Sequence, residues 1–306
     1  MAIVARLLHL ASRVEHYLSP RHLIGRASAC HLRVNDSSVS GFHAEIFWDG
    51  ERWFVQDLGS RNGTALGDRT LAKGAQEQLT RGAELVLAEH IRFQLIDDAP
   101  PTLSARSAEG ELRVAEDELL SLPSDEAPEL TIYRDLDGRW LVESAAETRP
   151  LDEATAVTAG GTSWRVLAPR LLPATRELSA EPLIREHTFQ FYVSRDGEHV
   201  ELQLESRGRV VKLEPRVHLS LLLVLARERL RDEGNQTLAS SECGWVYRED
   251  LPRLLGVQAE RVNLWIHRAR RQLARAGLRD AVAIFERRAG NTQLRLGASR
   301  LCIEDR

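Results

Sequence analysis

A tight polar loop at residues 57–64, which reads Asp-Leu-Gly-Ser-Arg-Asn-Gly-Thr, most constrains what this chain can fold into. Trp53 and Val55 alternate with other residues before it, which predicts a β-strand that ends in the loop. The Asn62-Gly63 pair favours a turn with positive φ, a conformation that glycine and asparagine adopt at low cost. Such a loop presents hydrogen-bonding groups at the surface. Taken alone, it is equally typical of an ordinary hairpin in a β protein.

Two further motifs precede this loop: Gly25-Arg26 after a predicted strand, and Ser40-Gly41-Phe42-His43 further along. With the loop, they resemble the forkhead-associated (FHA) domain, whose pattern is Gly-Arg, then Ser-x-x-His, then Asp-x-Gly-Ser-x-Asn-Gly-Thr. The resemblance covers roughly residues 5–97. It implies an all-β sandwich that binds phosphothreonine peptides through the loops at one end, without catalysis.

A phosphate dianion is held best by a guanidinium fork together with neutral hydroxyl and backbone donors. The FHA resemblance implies that Arg26 and Ser40 bind the phosphate, that Arg61 lies beside it, and that Asn62 fixes the peptide backbone. Gly41 stands where many members carry Asn, Arg or Lys, so one side-chain contact is missing. The resemblance also implies a structural set around the pocket, in which His43 braces the loops and glycines shape the backbone: Gly25, His43, Gly59, Gly63 and Thr64.

The length of 306 residues permits two or three domains. We predict a multidomain chain with an FHA sandwich at 1–98, an acidic linker and small β-rich region at 99–170, a second linker at 171–186, and an α+β domain at 187–306. The three cysteines are odd in number and widely spaced, which favours a reducing compartment and hence the cytoplasm. No apolar window approaches the roughly 18 residues of a transmembrane helix.

The middle region, 99–170, repeats part of the first domain. The segment 130–142, with Asp137-Gly138 before Trp140, echoes 46–55, with Asp49-Gly50 before Trp53. Two interpretations stay open: a degenerate FHA-like sandwich that has lost the phosphate motifs and serves packing or dimerisation, or an unrelated β-subdomain.

The C-terminal region has a different pattern. Three short alternating strands precede a long apolar helix at 217–230, a short helix at 248–255, a third helix from Gln258 to Ala276, and a hairpin around 289–292. This order resembles the winged helix-turn-helix output domain of bacterial response regulators. The loop 232–244 is longer than usual in that family, and the family's Arg-Gly-x-Gly-Tyr wing reads here as Arg-Ala-Gly-Asn-Thr.

The third helix carries the signal for nucleic acid. Spacing predicts that Val262, Ile266, Ala269 and Leu273 face the core, which leaves a cationic stripe on the opposite side. From residue 257 onward there are eleven Arg against five Asp and Glu, although the whole chain is net acidic. Arginine can read guanine edges and neutralise phosphates. A solvated charged face is the plain alternative. The candidate DNA-binding residues are Arg261, His267, Arg268, Arg270, Arg271, Arg275, Arg287, Arg288 and Arg295.

These features predict a cytoplasmic bacterial transcription regulator that binds a phosphothreonine protein (a Ser/Thr kinase or its substrate) and double-stranded DNA. The alternative is a phospho-dependent adaptor whose winged helix binds protein. No phosphate loop, His-Glu-x-x-His or Gly-x-Ser-x-Gly motif is present in the sequence, so we expect no enzyme activity, cofactor or metal. We also expect no membrane partner, and self-association is a further possibility.

Overall fold

The computed structural model describes residues 4–151, 156–169, 183–235, 237–288 and 290–306. The chain forms two compact units, Met1–Ser104 with Leu167–Glu177, and Ala105–Val166 with Leu178–Arg306. Of the second predicted linker, 171–186, residues 171–182 lie outside the described residues; Ile184–Glu186 form a short 3-10 helix.

The first unit is a β-sandwich of eleven strands, which the FHA resemblance implied. One sheet has the order β2-β1-β11-β10-β7-β8 and the other the order β4-β3-β5-β6-β9. Its strands are β1 (Arg6–His9), β2 (Glu15–Tyr17), β3 (Arg21–Gly25), β4 (Leu32–Arg33), β5 (Ala44–Trp48), β6 (Trp53–Asp57), β7 (Thr64–Leu66), β8 (Arg69–Thr70), β9 (Gln76–Gln78), β10 (Glu84–Leu87) and β11 (Ile91–Asp97).

Alternation along the strands builds the core between the two sheets. Trp53 and Val55 of β6 point inward with Ile46 of the neighbouring β5, and all three are almost completely buried. The Trp53 indole N–H donates to the carbonyl of Ala99 at 3.0 Å, which fixes the chain directly after β11. The β5–β6 hairpin turns at Gly50, whose φ of +116° suits glycine.

The middle region is a second β-sandwich, made of two four-stranded sheets ordered β13-β12-β19-β18 and β14-β15-β16-β17. Its core is apolar, with Leu122, Ile132 and Trp164 almost completely buried. The strands are β12 (Ser104–Ser107), β13 (Leu112–Val114), β14 (Leu120–Pro123), β15 (Pro128–Arg134), β16 (Trp140–Glu143), β17 (Thr148–Pro150), β18 (Ala156–Ala159) and β19 (Thr162–Leu167).

The two sandwiches have the same strand order. When β4, β7 and β8 are removed from the first, its remaining strands correspond in chain order to β12–β19, and both sheets keep their neighbours. The β15–β16 hairpin is then the counterpart of β5–β6, the pair of segments whose sequences echo each other. The loss of strands shortens two loops: residues 26–43 between β3 and β5 correspond to 124–127, and residues 58–75 between β6 and β9 correspond to 144–147.

The C-terminal region of the second unit places helices against a sheet ordered β22-β21-β20-β26, with a three-stranded sheet ordered β23-β25-β24. The final strand pairs parallel with β20, a contact that the sequence patterns did not indicate. The elements are β20 (Thr188–Val193), β21 (Val200–Ser206), β22 (Arg209–Lys212), α1 (Leu219–Glu233), β23 (Val246–Tyr247), a 3-10 turn (Arg248–Asp250), α2 (Leu251–Leu255), α3 (Ala259–Arg275), a second 3-10 turn (Ala281–Ile284), β24 (Phe285–Arg287), β25 (Gln293–Leu296) and β26 (Arg300–Asp305).

The three helices lie close to the predicted positions. α1 has no glycine or proline and buries Leu221, Leu222 and Leu225. α2 ends at Gly256, which has a φ of +64° and therefore provides the left-handed C-cap. All four residues predicted to face the core from α3 are buried. Of the predicted wing, Ala289 lies outside the described residues.

Candidate functional site

The loop after β6 is organised by the buried carboxylate of Asp57. One of its oxygens accepts the backbone N–H of Gly59 at 2.8 Å and of Ser60 at 2.9 Å, and the other accepts the hydroxyls of Ser60 at 2.5 Å and Thr64 at 2.6 Å. Burial by itself opposes ionisation, but these four hydrogen bonds hold the pKa of Asp57 below its ordinary value. No site role was predicted for Asp57, although it lies in the motif that defines the loop.

His43 joins this loop to the segment before β5. Its Nδ1 accepts the backbone N–H of Ser40 at 3.1 Å, so Nε2 carries the hydrogen and donates to the carbonyl of Gly63 at 2.9 Å. The ring is completely buried. His43 therefore links the segment before β5 to the loop after β6 through both of its ring nitrogens.

Ser40 and Arg61 meet at the surface of the same junction. The Ser40 hydroxyl oxygen accepts the backbone N–H of Arg61 at 3.0 Å. Among the described residues the Ser40 hydroxyl hydrogen has no acceptor within the protein, so it is available to a ligand. The side chain of Arg61 is exposed.

Arg26 lies beside Ser40, because its backbone N–H donates to the carbonyl of Ser40 at 3.0 Å. Its guanidinium is exposed and has one weak contact, from Nε to the carbonyl of Val39 at 3.4 Å. Gly25 permits this approach, since a Cβ there would lie 2.2 Å from the carbonyl oxygen of Gly41. At Gly41 itself a Cβ would meet nothing within 4 Å.

Asn62 is exposed at the rim of this pocket and its side-chain N–H donates to the carbonyl of Ser38 at 2.8 Å. Its amide oxygen therefore remains the group that can accept a peptide N–H. The structure thus brings together Arg26, Ser40, Arg61 and Asn62. The carboxylate of Asp36 lies close by but already accepts hydrogen bonds from Ser38 and lies 3.4 Å from His90.

Several of the predicted DNA-binding residues are buried or ion-paired, unlike the exposed arginines of the FHA pocket. Arg270 on α3 forms a bidentate ion pair with Glu143 of β16, with distances of 2.9 and 3.1 Å, and both side chains are almost completely buried, at 1% and 7% exposure. Tyr133 donates its hydroxyl to the same carboxylate at 3.0 Å, and Arg287 of β24 reaches it at 3.3 Å. Burial opposes ionisation of Glu143, but Arg270 and Arg287 outweigh it and lower the pKa to about 2.

Further ion pairs and hydrogen bonds join α3 and β24 to the middle sandwich around the Arg270–Glu143 pair. Arg271 binds Asp125 at 2.6 Å and also contacts Glu116, while Arg275 binds Asp117 at 3.0 Å. The buried His267 ring shares a 2.8 Å hydrogen bond with the Ser121 hydroxyl and lies 3.3 Å from Asp125. Arg287 also donates to the Ser144 carbonyl at 2.6 Å.

The expectation of a solvent-exposed cationic stripe along α3 is therefore wrong for His267, Arg270 and Arg271, because the middle sandwich packs against that face. Arg275 remains exposed but is ion-paired. Arg288 and Arg295 pair with acids of their own region and lie over the ring of Trp245. Arg261 and Arg268 are exposed and, within the described part of the chain, form no ion pair.

Three general features bear on the class of site. Among the described residues, no group of three or more His, Cys, Asp or Glu is placed to hold a metal ion. No helix in the described ranges has the length and apolar character needed to cross a membrane. Cys30, Cys243 and Cys302 are free thiols.

Residues 22–88 match the family model of the FHA domain, so the N-terminal part of the chain contains an FHA domain. The match covers the pocket residues described above and stops before the middle sandwich. It leaves the C-terminal region unassigned.

Among curated proteins, the chain is 48% identical over 44 residues to the FHA domain-containing protein FhaB of two Mycobacterium tuberculosis strains. The aligned segment is 14% of this chain and 28% of the relative, so the chain spans little more than a quarter of the relatives it matches.

Solved structures with similar segments include one from a structural and functional analysis of phosphothreonine-dependent FHA domain interactions, at 27% identity and a TM-score of 0.28 over 32% of this chain and 98% of that one. Another is Mycobacterium tuberculosis EmbR in complex with a low-affinity phosphopeptide, at 24% identity and a TM-score of 0.30 over 33% of this chain and 26% of that one.

Proposed function

We propose that this chain is a cytoplasmic, non-enzymatic regulator whose FHA domain binds a phosphothreonine-bearing protein and whose C-terminal region is a winged helix that binds double-stranded DNA. The observation that carries the first half is the junction of Arg26, Ser40 and Arg61 at the loop end of the first sandwich. Two exposed arginines are joined there to Ser40 through their backbone N–H groups, and among the described residues neither arginine forms an ion pair.

That combination suits a phosphate ester. Guanidinium groups bind phosphate in bidentate fashion, and charge-assisted hydrogen bonds are stronger than neutral ones. Recognition of phosphorylated motifs by arginine clusters is an established mode of peptide binding for FHA domains. His43 holds the backbone of Ser40 and Asp57 holds the loop that carries Arg61, so little ordering remains to oppose binding.

The middle sandwich is, on this proposal, a degenerate copy of the FHA domain. Its strand order supports the relation. The loops that correspond to the phosphopeptide loops are short and contain Asp125 and Glu126 in place of arginine and serine motifs. A surface of this charge repels phosphate, so we assign no phosphopeptide binding to it.

The DNA half of the proposal is supported by the order of sheet, three helices and hairpin, and by the concentration of arginine on α3. Arg261 and Arg268 are free to contact phosphates. A second candidate function is the adaptor, in which the winged helix binds protein. Its support is the observation that the cationic face of α3 already contacts a protein surface.

The pocket is tested by titrating a degenerate phosphothreonine peptide library against the full chain, with the unphosphorylated library as reference. Arg26→Ala should abolish binding in calorimetry. Its melting temperature should stay nearly unchanged, because exposed substitutions away from structural contacts usually alter stability by about 0.5 kcal/mol or less.

Arg52→Ala is the matched control, since Arg52 is another exposed arginine of the same sandwich, at the β5–β6 turn. It should bind like the wild type. Undiminished affinity in Arg26→Ala would refute the pocket. Loss of binding in both variants would show that total charge, and not the site, is responsible.

A further inference from the structure

The cationic face of α3 is engaged by the β14 side of the middle sandwich. The contacts come from Asp125 in loop 124–127 after β14, from Ser121 within β14, and from Glu116 and Asp117 before it. Loop 144–147 contacts Arg287 of β24 through the Ser144 carbonyl. Loops 124–127 and 144–147 occupy the same places in the strand order as the loops that carry Arg26, Ser40 and Asn62 in the first sandwich. A loop at the ligand-binding end of the first sandwich thus corresponds, in the middle sandwich, to a loop that contacts α3.

The charge of this surface is opposite to that of the FHA pocket. The first sandwich presents arginines, and the middle sandwich presents carboxylates to Arg270, Arg271 and Arg275. Carboxylate oxygens at these positions offer α3 the same partners that DNA phosphates would, because both accept bidentate hydrogen bonds from guanidinium groups.

The two partners cannot bind α3 together. A helix with its side chains is about 10–12 Å wide, and the DNA major groove is about 12 Å wide, so a helix in the groove has no room for a protein layer on its outer face. The middle sandwich covers one flank of that face, where a wall of the groove would lie, since His267, Arg270 and Arg271 are its contacts while Arg261 and Arg268 stay exposed.

The composition of this interface is also typical of an interface that can open. Permanent interfaces resemble an apolar core, and their centres are depleted of charge. Here the centre is the Arg270–Glu143 pair, and buried ion pairs add less stability than apolar residues of the same volume. The surrounding acids Glu116, Asp117 and Asp125 are 31–51% exposed, so salt and water reach them.

We propose that the acidic β14 side of the middle sandwich competes with DNA for α3 and holds the winged helix in a DNA-excluded state. This rests on the DNA-binding half of the proposed function. Displacement of the sandwich then frees Arg271 and Arg275 on the same side of the helix as the exposed Arg268, and Arg270 on the flank nearer the core.

The test compares full-length variants on a fluorescent mixed-sequence DNA duplex over a series of salt concentrations. Glu116→Gln, Asp117→Asn and Asp125→Asn together remove the peripheral acids and leave the buried pair intact. The matched control is Glu118→Gln, Asp137→Asn and Glu147→Gln, which makes the same charge change at exposed acids of the same sandwich that pair with Arg134, Arg139 and Arg149.

We expect the unmasked variant to bind DNA about tenfold more tightly than the wild type, and the control to change affinity less than about twofold. The unmasked variant should also show the steeper loss of affinity with salt, because salt opens the internal ion pairs of the wild type as it weakens the DNA contacts. Adding Arg271→Ala should reverse the gain in the unmasked background.

Other outcomes contradict the competition in distinct ways. Equal DNA binding by the wild type and the unmasked variant would overturn the masking while leaving DNA binding in place. An equal gain in the control would assign the effect to net charge. If no variant binds DNA although hydrogen exchange shows α3 deprotected in the unmasked one, both the masking and the DNA half of the proposed function are wrong.

Discussion

The two β-sandwiches of this chain share a strand order but differ at one end. In the first, long segments between β3 and β5 and between β6 and β9 carry the exposed Arg26 and Arg61. In the middle sandwich the corresponding loops are reduced to 124–127, which contacts α3, and 144–147, which contacts Arg287 of β24. Strand order thus fixes which end of the fold carries these loops, whereas the residues in the loops set the charge of the partner that they contact.

The sandwiches also use their buried acids differently. The Asp57 carboxylate makes its four hydrogen bonds within its own loop, so it does not pair with Arg26 or Arg61, which stay available to a ligand. Glu143 is satisfied by Arg270 and Arg287, which belong to the C-terminal region. Removal of each acid should therefore damage a different part of the molecule.

The largest effect is expected from Glu143→Ala. It leaves Arg270 buried without its partner, and removal of one member of a buried ion pair costs about 3–5 kcal/mol. Denaturant unfolding of the full chain, followed by tryptophan fluorescence, measures the loss. The double variant Glu143→Leu with Arg270→Met should recover part of it, because the buried Arg270 charge is removed although Arg287 still loses its carboxylate.

Glu118→Ala is the control for this change. Glu118 is an exposed acid of the same sandwich, ion-paired with Arg134 at 3.0 Å. Exposed pairs contribute at most about 1 kcal/mol. An equally small loss in Glu143→Ala would mean that the Arg270 pair does not hold the middle sandwich against α3.

How much of this could be predicted from sequence differs between the regions. The FHA pocket joins three motifs whose order and spacing are typical of the family, so the resemblance could assign roles to Gly25, Ser40 and His43 although their contacts lie about twenty positions apart. Local periodicity likewise identified the buried seam of α3, since Val262 and Leu273 follow the helical repeat.

The engagement of the cationic face could not be predicted in this way. Arg271 and Asp125 are 146 positions apart, and helical periodicity distinguishes apolar from polar faces but cannot tell a solvated charge from a paired one. One signal was available: the acidic runs around Glu116 and Asp125 complement the arginine-rich end of the chain. The parallel pairing of β26 with β20 is similarly non-local.

A smaller effect is expected at Asp57, which holds a loop of the first sandwich in place but is not itself a proposed ligand contact. Asp57→Asn replaces charge-assisted hydrogen bonds to Ser60 and Thr64 with neutral ones, which should cost about 1–3 kcal/mol of stability. Phosphopeptide affinity should fall with it, since Asn62 lies in the loop that Asp57 holds. Asp49→Asn, which alters an exposed turn carboxylate with two backbone contacts, should change neither quantity appreciably.

The smallest expected effect is a gain at Gly41, where the pocket of the first sandwich lacks a side chain. A Cβ at this position meets nothing within 4 Å and the backbone φ is not in the left-handed region, so Gly41→Lys should fold without strain. The added ammonium should raise affinity for the phosphothreonine library about three- to tenfold, equivalent to roughly 1 kcal/mol. Ser12→Lys adds the same charge at an exposed turn between β1 and β2 and should give less than a twofold gain. If the two lysines act alike, the first sandwich attracts phosphate through its overall electric field, and Gly41 does not lie at the ligand. The phosphopeptide would then bind away from loops 26–43 and 58–75, which distinguish the first sandwich from the middle one.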